Sequence, residues 1–249
     1  TAHALSEFSA SQPNAQLIRH ERAQGFTKAA NAGMRVSTAP MVVVLNSDTV
    51  VPTGCFERLR RVLMEVPRAG LVGPLSNAAS HQSVPRQTPT LGERAQAQTP
   101  VNPLPDGMTI EDLNRRLQEK FEGQFMRLPM LHGFCLGIRR EVIRDIGYFD
   151  EEAFPEGFGE EDDFCVRAVN AGWSLAVALD TYVWHHKSGS YGAERRRALV
   201  ERGRKAFLRK HGELRRRNVV QSLRESGMQI VGLFEGAVDD RGAYAGEKQ

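Results

Sequence analysis

Apolar and polar positions alternate along this chain in segments of two different periods. Met41–Leu45 is an unbroken apolar run that ends abruptly in Asn46-Ser47-Asp48-Thr49. A short apolar run bounded by polar residues is the pattern of a strand buried in a parallel sheet. Residues 25–36 carry small and apolar side chains at helical spacing after a turn at Gly25. Residues 52–65 read as a helix, with Pro52 and Thr53 at its start and Pro67 just past its end. Residues 4–9 read as the end of a helix, 15–19 as a short strand, and 71–72 as a strand stopped by Gly73-Pro74. Strand and helix in alternation predict an α/β domain whose sheet is built through crossovers.

From Ser76 to Asp106 the chain becomes rich in Pro, Thr, Gln and Asn and reads as a long surface connection, the kind of loop that is often functional. Thr109-Ile110-Glu111-Asp112 caps a helix reaching about Phe121. Residues 130–138 predict a strand with bends at Gly133 and Gly137, and 160–171 a helix ended by Gly172. Residues 175–177 and 182–184 read as short strands, followed by helices to about Ser226 and a Gly-rich tail. The expected division is a domain over 1–192, a basic helical extension over 193–226 and a tail or linker over 227–249.

The chain has 249 residues, 41% hydrophobic and 25% charged, an ordinary globular composition. No apolar run approaches a membrane span, and residues 1–11 lack the charged start and apolar core of a secretory signal. Cys55, Cys135 and Cys165 are far apart and set among apolar residues, so they read as reduced buried thiols of a cytoplasmic protein. A net charge of +3 is too mild to imply nucleic acid. The charge is uneven, however: residues 195–217 hold eleven Lys and Arg, from Arg195 to Arg217. The segment reads first as a solvated helical face. Its functional reading is a patch for anionic lipid head groups at the inner face of the plasma membrane, or for a lipid-diphosphate acceptor.

Three clusters carry candidate chemistry. Asp48 follows the end of a buried strand, where open α/β sheets meet their ligands, and its carboxylate suits Mg²⁺ or Mn²⁺ bridging phosphate oxygens. Asn46 to Thr49 also suit a turn and a helix cap. Glu160, Glu161, Asp162 and Asp163 open a helix, where carboxylates offset its dipole. Four in succession exceed that need, and their mutual repulsion raises the pKa of one member toward that of a general base. His185 and His186 follow a short strand; extended backbone lets only one face the site, where an imidazole can complete the coordination of an ion held by Asp48.

These clusters, in this order, resemble the family 2 glycosyltransferases of the GT-A fold. The resemblance runs over residues 15–192, through Gln24-Gly25-Phe26, Asn31-Ala32-Gly33, Leu45-Asn46-Ser47-Asp48-Thr49, Val72-Gly73-Pro74-Leu75-Ser76-Asn77, His132-Gly133-Phe134-Cys135, Gly147-Tyr148-Phe149-Asp150-Glu151, Gly159 to Phe164, Ala171-Gly172-Trp173 and His185 to Tyr191. It implies a GT-A-like mixed, mainly parallel sheet flanked by helices. It also implies inverting, metal-dependent sugar transfer from a nucleotide-diphosphate donor to the hydroxyl of a glycan or lipid-linked acceptor, in polysaccharide, O-antigen or glycoconjugate synthesis. Asp48 and His185 are the implied metal ligands. Asn31, Asn46, Asp48 and Gly133 are the implied donor contacts, and His132, Phe134 and Glu160 the acceptor contacts. Glu161 falls at the family's catalytic base, usually Asp, with Asp162 and Asp163 as alternatives. The family's first strands, with the acidic residue that reads the nucleobase, have no counterpart here. The chain is therefore expected to be an incomplete domain that binds nucleotide sugar poorly and exposes a sheet edge. Two other readings stay open: a non-catalytic binding or scaffolding relic, and a nucleotidyltransferase, which also uses α/β sheets and metal carboxylates.

Overall fold

The computed structural model describes residues 2–86, 101–187 and 192–238. The Gly-rich end after Val238, the middle of the 76–106 connection and Ser188 to Tyr191 lie outside the described residues.

Chain order runs α1 (Ala2–Ser11), α2 (Phe26–Val36), β1 (Met41–Leu45), β2 (Thr49–Val50), α3 (Cys55–Glu65), β3 (Ala69–Ser76), a 3-10 turn (Ser80–Gln82), α4 (Ile110–Phe121), β4 (Phe125–Leu128), β5 (Cys135–Arg139), α5 (Arg140–Ile146), α6 (Glu160–Asn170), β6 (Ser174–His185), α7 (Ala193–His211) and α8 (Glu213–Val238). The strands form one six-stranded sheet in the order β1-β5-β3-β6-β2, with β4 also pairing β6. The sheet is mixed and flanked by helices, as expected, but its parallel share is small. Among the described residues only β3 and β6 run parallel; β1·β5, β3·β5, β4·β6 and β2·β6 are antiparallel.

Successive residues of the central strands divide the core. Leu71, Leu175 and Val177 join a cluster with Leu113 and Leu117 of α4, Phe164 of α6 and Phe234 of α8. Val72, Ala176 and Ala178 join the other, with Leu59, Val62 and Leu63 of α3. Alternation of side chains across a strand places these clusters on opposite faces. All three cysteines are free and buried. Thr109 caps α4 as expected, with its side chain accepting from the Asp112 N–H and the Asp112 carboxylate accepting in return.

Several elements differ from the sequence reading. Residues 15–19 form no strand, and Leu17 and Ile18 stand exposed. Gly73-Pro74 does not stop β3, which continues to Ser76 through a register shift after Pro74. The Pro74 carbonyl accepts from the Gln82 amide instead, and Gly73 leaves room for that amide. The expected pair 175–177 and 182–184 is one twelve-residue strand, β6, whose irregularity around Leu179 to Thr181 faces the same shift. Residues 76–84 are largely buried rather than a surface connection. Helix α8 runs on to Val238, where a tail from 227 was expected; Gly227 lies inside it, and Ile230 and Phe234 reach the core.

Candidate active site

Antiparallel pairing of β2 with the end of β6 sets Thr49 opposite His185. The turn between β1 and β2 thereby carries Asn46 and Asp48 to the same end of the sheet. The His186 N–H donates to the Asp48 carbonyl at 2.9 Å, which fixes the turn. Asp48 Oδ1 then lies 3.3 Å from His185 Nε2, and Asn46 Nδ2 3.5 Å from the same nitrogen.

The backbone of His185 is held from both sides by buried Asn77. Its Oδ1 accepts the His185 N–H at 2.7 Å, and its amide donates to the His185 carbonyl at 2.9 Å. His185 Nδ1 meets the Ala78 carbonyl at 3.3 Å. A carbonyl only accepts, so Nδ1 carries the proton in that contact and Nε2 presents a lone pair toward Asp48. Burial and the Lys187 charge lower the imidazole pKa below its ordinary value, against the opposing pull of Asp48. A neutral imidazole with its other nitrogen tied to a carbonyl is the usual state of a metal-ligating histidine. One carboxylate and one such imidazole fit a divalent ion that takes its remaining ligands from phosphate and water. Among the described residues no larger His, Cys, Asp or Glu group stands ready to hold a metal.

The segment His132-Gly133-Phe134 joins this pair to the acidic helix. The Phe134 ring stacks on His185 with centroids 5.2 Å apart, and the Phe134 carbonyl accepts from the Asn46 N–H. The His132 ring lies edge-on to His185, with centroids 6.2 Å apart. A Cβ on Gly133 would lie 3.2 Å from the Glu161 side chain, so the missing side chain leaves that acid its place. His132 itself is positioned by Gln82, whose Oε1 accepts its N–H at 2.7 Å.

Glu161 and Asp162 open onto a cavity of about 160 Å³ that His132 and Phe158 also line. Burial raises the Glu161 carboxyl above its ordinary value, against backbone N–H donors that include Gly133. Burial, then the neighbouring Glu161 and Asp163 charges, raises Asp162 well above the carboxylate range. Asp163 behaves oppositely. Burial alone would raise it, but hydrogen bonds from Lys210, Arg167 and His211 outweigh that and hold it low. The crowding expected of four acids therefore acts on Glu160 and Asp162, whereas Glu161 is raised by burial and not by its acidic neighbours, and Asp163 is spent as a structural anion.

Other expected site residues are placed elsewhere. Asn31 is fully buried. It donates to the Phe149 carbonyl and the Glu151 carboxylate and accepts from the Phe149 N–H, so it ties α2 to residues 149–151 rather than facing a donor. Phe134 is fully buried beneath His185 and presents no surface to an acceptor. Glu160 is 4% exposed, sits behind Gly157 and does not line the cavity.

A profile described as glycosyltransferase like family 2 matches residues 1–204. The chain belongs to that family. Within it, the chain is 31% identical over 157 residues to N-acetylglucosaminyl-diphospho-decaprenol L-rhamnosyltransferase from two strains of Mycobacterium tuberculosis, CDC 1551 / Oshkosh and ATCC 25618 / H37Rv; the match covers 61% of this chain and 49% of each relative. The chain spans about half the length of these curated relatives. Two solved structures show the fold. The mannosyltransferase PcManGT from Pyrobaculum calidifontis, in complex with GDP-Man and Mn²⁺, aligns at TM-score 0.55 and 15% identity over 95% of this chain and 60% of its own. GalNAc-T7 with UDP, GalNAc and Mn²⁺ aligns at TM-score 0.51 and 16% identity over 80% and 39%. The fold of this family 2 chain is thus that of the GT-A glycosyltransferases.

Sequence reading missed three contributors. Asn77 and Gln82 lay in a stretch taken for surface, and their bonds to His185 and His132 depend on the path of β3 and the turn after it. Lys187, with φ at 55°, follows the histidine pair, and its charge acts on both His185 and Glu161. Its signal was its place directly after His185-His186. The basic segment is largely committed to the protein itself: Arg195 and Arg202 pair with Glu156, and Lys210 with Asp150 and Asp163. No helix among the described residues is long and apolar enough to cross a membrane.

Proposed function

We propose that this chain supplies the catalytic centre of a metal-dependent, inverting glycosyltransferase that moves a sugar from a nucleotide-diphosphate donor to an acceptor hydroxyl. The observation that carries this reading is the convergence of the Asp48–His185 pair with Glu161 through one three-residue segment, His132-Gly133-Phe134. The PcManGT and GalNAc-T7 structures contain Mn²⁺ with a sugar nucleotide or its parts, which supports the same chemistry here.

In this reading Asp48 and His185 hold Mn²⁺ or Mg²⁺, which when bound neutralises the negative charge gathering on the leaving diphosphate. Lys187 adds a fixed positive charge on the same side, and Asn46 donates to the donor's ribose or phosphate. Glu161 accepts the proton of the acceptor hydroxyl as that oxygen forms its bond to the anomeric carbon and the bond to the diphosphate breaks. A single displacement of this kind inverts the anomeric centre. The raised pKa of Glu161 brings its basicity closer to working pH, where general-base help contributes about 10²–10⁴-fold. The acceptor is a glycan or lipid-linked saccharide of polysaccharide or glycoconjugate assembly. The exposed arginines of α7 outside its ion pairs, such as Arg197 and Arg209, are the ones that would meet an anionic membrane surface at the inner face of the plasma membrane.

The test is turnover of a panel of nucleotide sugars by the gene product carrying this chain, with Mn²⁺ and with EDTA. Release of nucleoside diphosphate that needs the ion and is lost in Glu161→Gln supports the reading. Release of pyrophosphate, which marks nucleotidyl transfer, or release indifferent to Glu161, sinks it.

A further inference from the structure

Gln82 bridges two parts of the chain where the strands no longer pair. The antiparallel ladder between β3 and β5 covers Leu71 and Val72. Nearer the site a side-chain carboxamide takes its place. Gln82 Nε2 donates to the Pro74 carbonyl at 2.8 Å, and its Oε1 accepts the His132 N–H at 2.7 Å. The first partner only accepts and the second only donates, so both ends of the amide are fixed. Gln82 is 1% exposed. Gly73 makes room for it, since a Cβ there would fall 2.6 Å from Nε2.

This amide holds one end of the segment His132-Gly133-Phe134. The other end is tied by the Phe134 carbonyl, which accepts from the Asn46 N–H at 2.8 Å. Between these anchors Gly133 passes so close to Glu161 that a Cβ would lie 3.2 Å from that side chain, and its N–H bears on the carboxylate. The two anchors serve different halves of the site. Asn46 belongs to the turn that carries Asp48, whereas Gln82 lines the cavity with Glu161.

We infer that Gln82 is a positioning residue for the base: by gripping the His132 N–H it aims the next peptide N–H, that of Gly133, at Glu161. The inference rests on the proposed glycosyl transfer for the role of Glu161 and on these bonds for the geometry. A donor to a carboxylate favours its ionised form, and burial opposes it. Gln82 thus acts on how much of the base is ionised at working pH, and Gly73 acts through Gln82. The other titratable groups around Glu161 are Glu160 and Asp162 on its own helix, His81 and His132 along the cavity, Arg204 of α7, Arg216 of α8, and Lys187 after β6. None of them is altered in Gln82→Met, which keeps the length of the side chain and removes both bonds, or in Gly73→Ala, which displaces Nε2.

The experiment is a carbon-13 NMR titration of the full chain labelled at its glutamate carboxyls, in EDTA, with the Glu161 resonance identified by its loss in Glu161→Gln. In each variant the midpoint is expected to rise by about one pH unit, the worth of one hydrogen bond to a charged group. The double variant should rise no further, because both changes act on one amide. An unchanged midpoint in folded Gln82→Met, or shifts that simply add, overturn the inference. Should neither variant fold by circular dichroism, the unsubstituted chain decides: its Gly133 amide proton should titrate with the Glu161 midpoint, and an indifferent amide overturns the inference. Transfer is read separately, in the gene product carrying this chain. There Gln82→Met should lose about tenfold in kcat/KM below both midpoints and recover above them, a recovery that a purely structural loss would not show. Shifted midpoints without sugar transfer sink the glycosyltransferase reading and spare this placement; transfer with an unmoved midpoint does the opposite.

Discussion

Asp163 and Lys210 lie 2.7 Å apart, the first fully buried in the opening turn of α6 and the second near the end of α7. His211 Nε2 reaches the same carboxylate oxygen at 2.8 Å, and Arg167 the other at 2.7 Å. Glu161 stands two residues earlier on that helix, so the end of α7 fixes the turn that presents the proposed base. Removing one partner of a buried ion pair costs about 3–5 kcal/mol. Asp163→Asn leaves three basic groups facing an amide and is expected to cost stability on that scale in urea unfolding. The Asp163 pKa is lowered in the fold. Its contribution is therefore present above the ordinary carboxylate pKa of about 3.9 and is lost as pH falls through the folded value. The variant should show a shallower acid limb of stability than the parent, and an unchanged limb would show that the pair carries little.

Asp48 and His185 are expected to act together on nucleotide binding. Asp48→Ala and His185→Ala should each weaken Mn²⁺-dependent binding of nucleoside diphosphate by about 10–100-fold, the scale on which loss of a metal site's supporting groups is felt. Asn77→Ala should do part of the same, because the His185 backbone loses both of its bonds to that amide. Titrations with Mn²⁺ and with EDTA measure this. The prediction fails if His185→Ala binds nucleotide as tightly as the parent in Mn²⁺.

What could be read from the sequence follows the range of the forces involved. Met41–Leu45, α4 with its Thr109–Asp112 cap, and the acidic start of α6 were legible because strand burial, capping and helix-dipole effects act within a few residues. The joining of 175–177 to 182–184 was not, since β6 owes its continuity to partners β3, β4 and β2, all distant in sequence. The same limit explains Asp163. Its sequence neighbours are acids, and the groups that lower its pKa arrive from α7, apart from Arg167 one turn on. Asp48, Glu161 and His185 were found through resemblance as much as through chemistry. Asn31 and Phe134 belong to the same motifs, yet their bonds and stacking show them supporting the site from behind.

Glu161→Gln separates catalysis from binding. It should lower kcat by about 10²–10⁴-fold while leaving Mn²⁺-dependent nucleotide affinity within threefold of the parent. Because burial raises the Glu161 pKa in the fold, the acid limb of kcat/KM should lie above the ordinary glutamate value of about 4.3. An acid limb at or below that value would remove Glu161 from the role of base.

Glu160 offers a stabilising substitution. Its Oε2 is buried with no hydrogen-bond partner among the described residues, and burial together with the Glu161 charge raises its pKa well above the ordinary range. For a group whose pKa is higher in the fold, the contribution to stability is present below the unfolded value and is lost as pH rises through the folded one. At neutral pH the carboxyl therefore opposes folding. Glu160→Gln should raise Tm there, by an amount matching about 1–3 kcal/mol for an unsatisfied buried group, and the gain should shrink toward pH 4. Melting curves across that range decide the matter, and a gain independent of pH would assign the effect to packing.

Gly203 marks where α7 rests on the proposed catalytic helix. A Cβ there would fall 1.7 Å from the Phe158 carbonyl oxygen, a contact backbone atoms cannot yield to without moving. Phe158 precedes Gly159, which caps α6, and both line the cavity with Gly203 itself. Gly203→Ala must therefore either lift α7 or shift the 158–159 turn. Helix propensity alone would make this substitution favourable by about 1 kcal/mol, whereas overpacking costs about 1–3 kcal/mol, so a net loss is expected. The loss should appear together with a lower kcat, since the 158–159 turn opens the helix on which Glu161 stands two residues later. Nucleotide binding in Mn²⁺, which the proposed function assigns to Asp48 and His185, should stay close to the parent. A stabilised variant with unaltered kcat would show that α7 docks elsewhere.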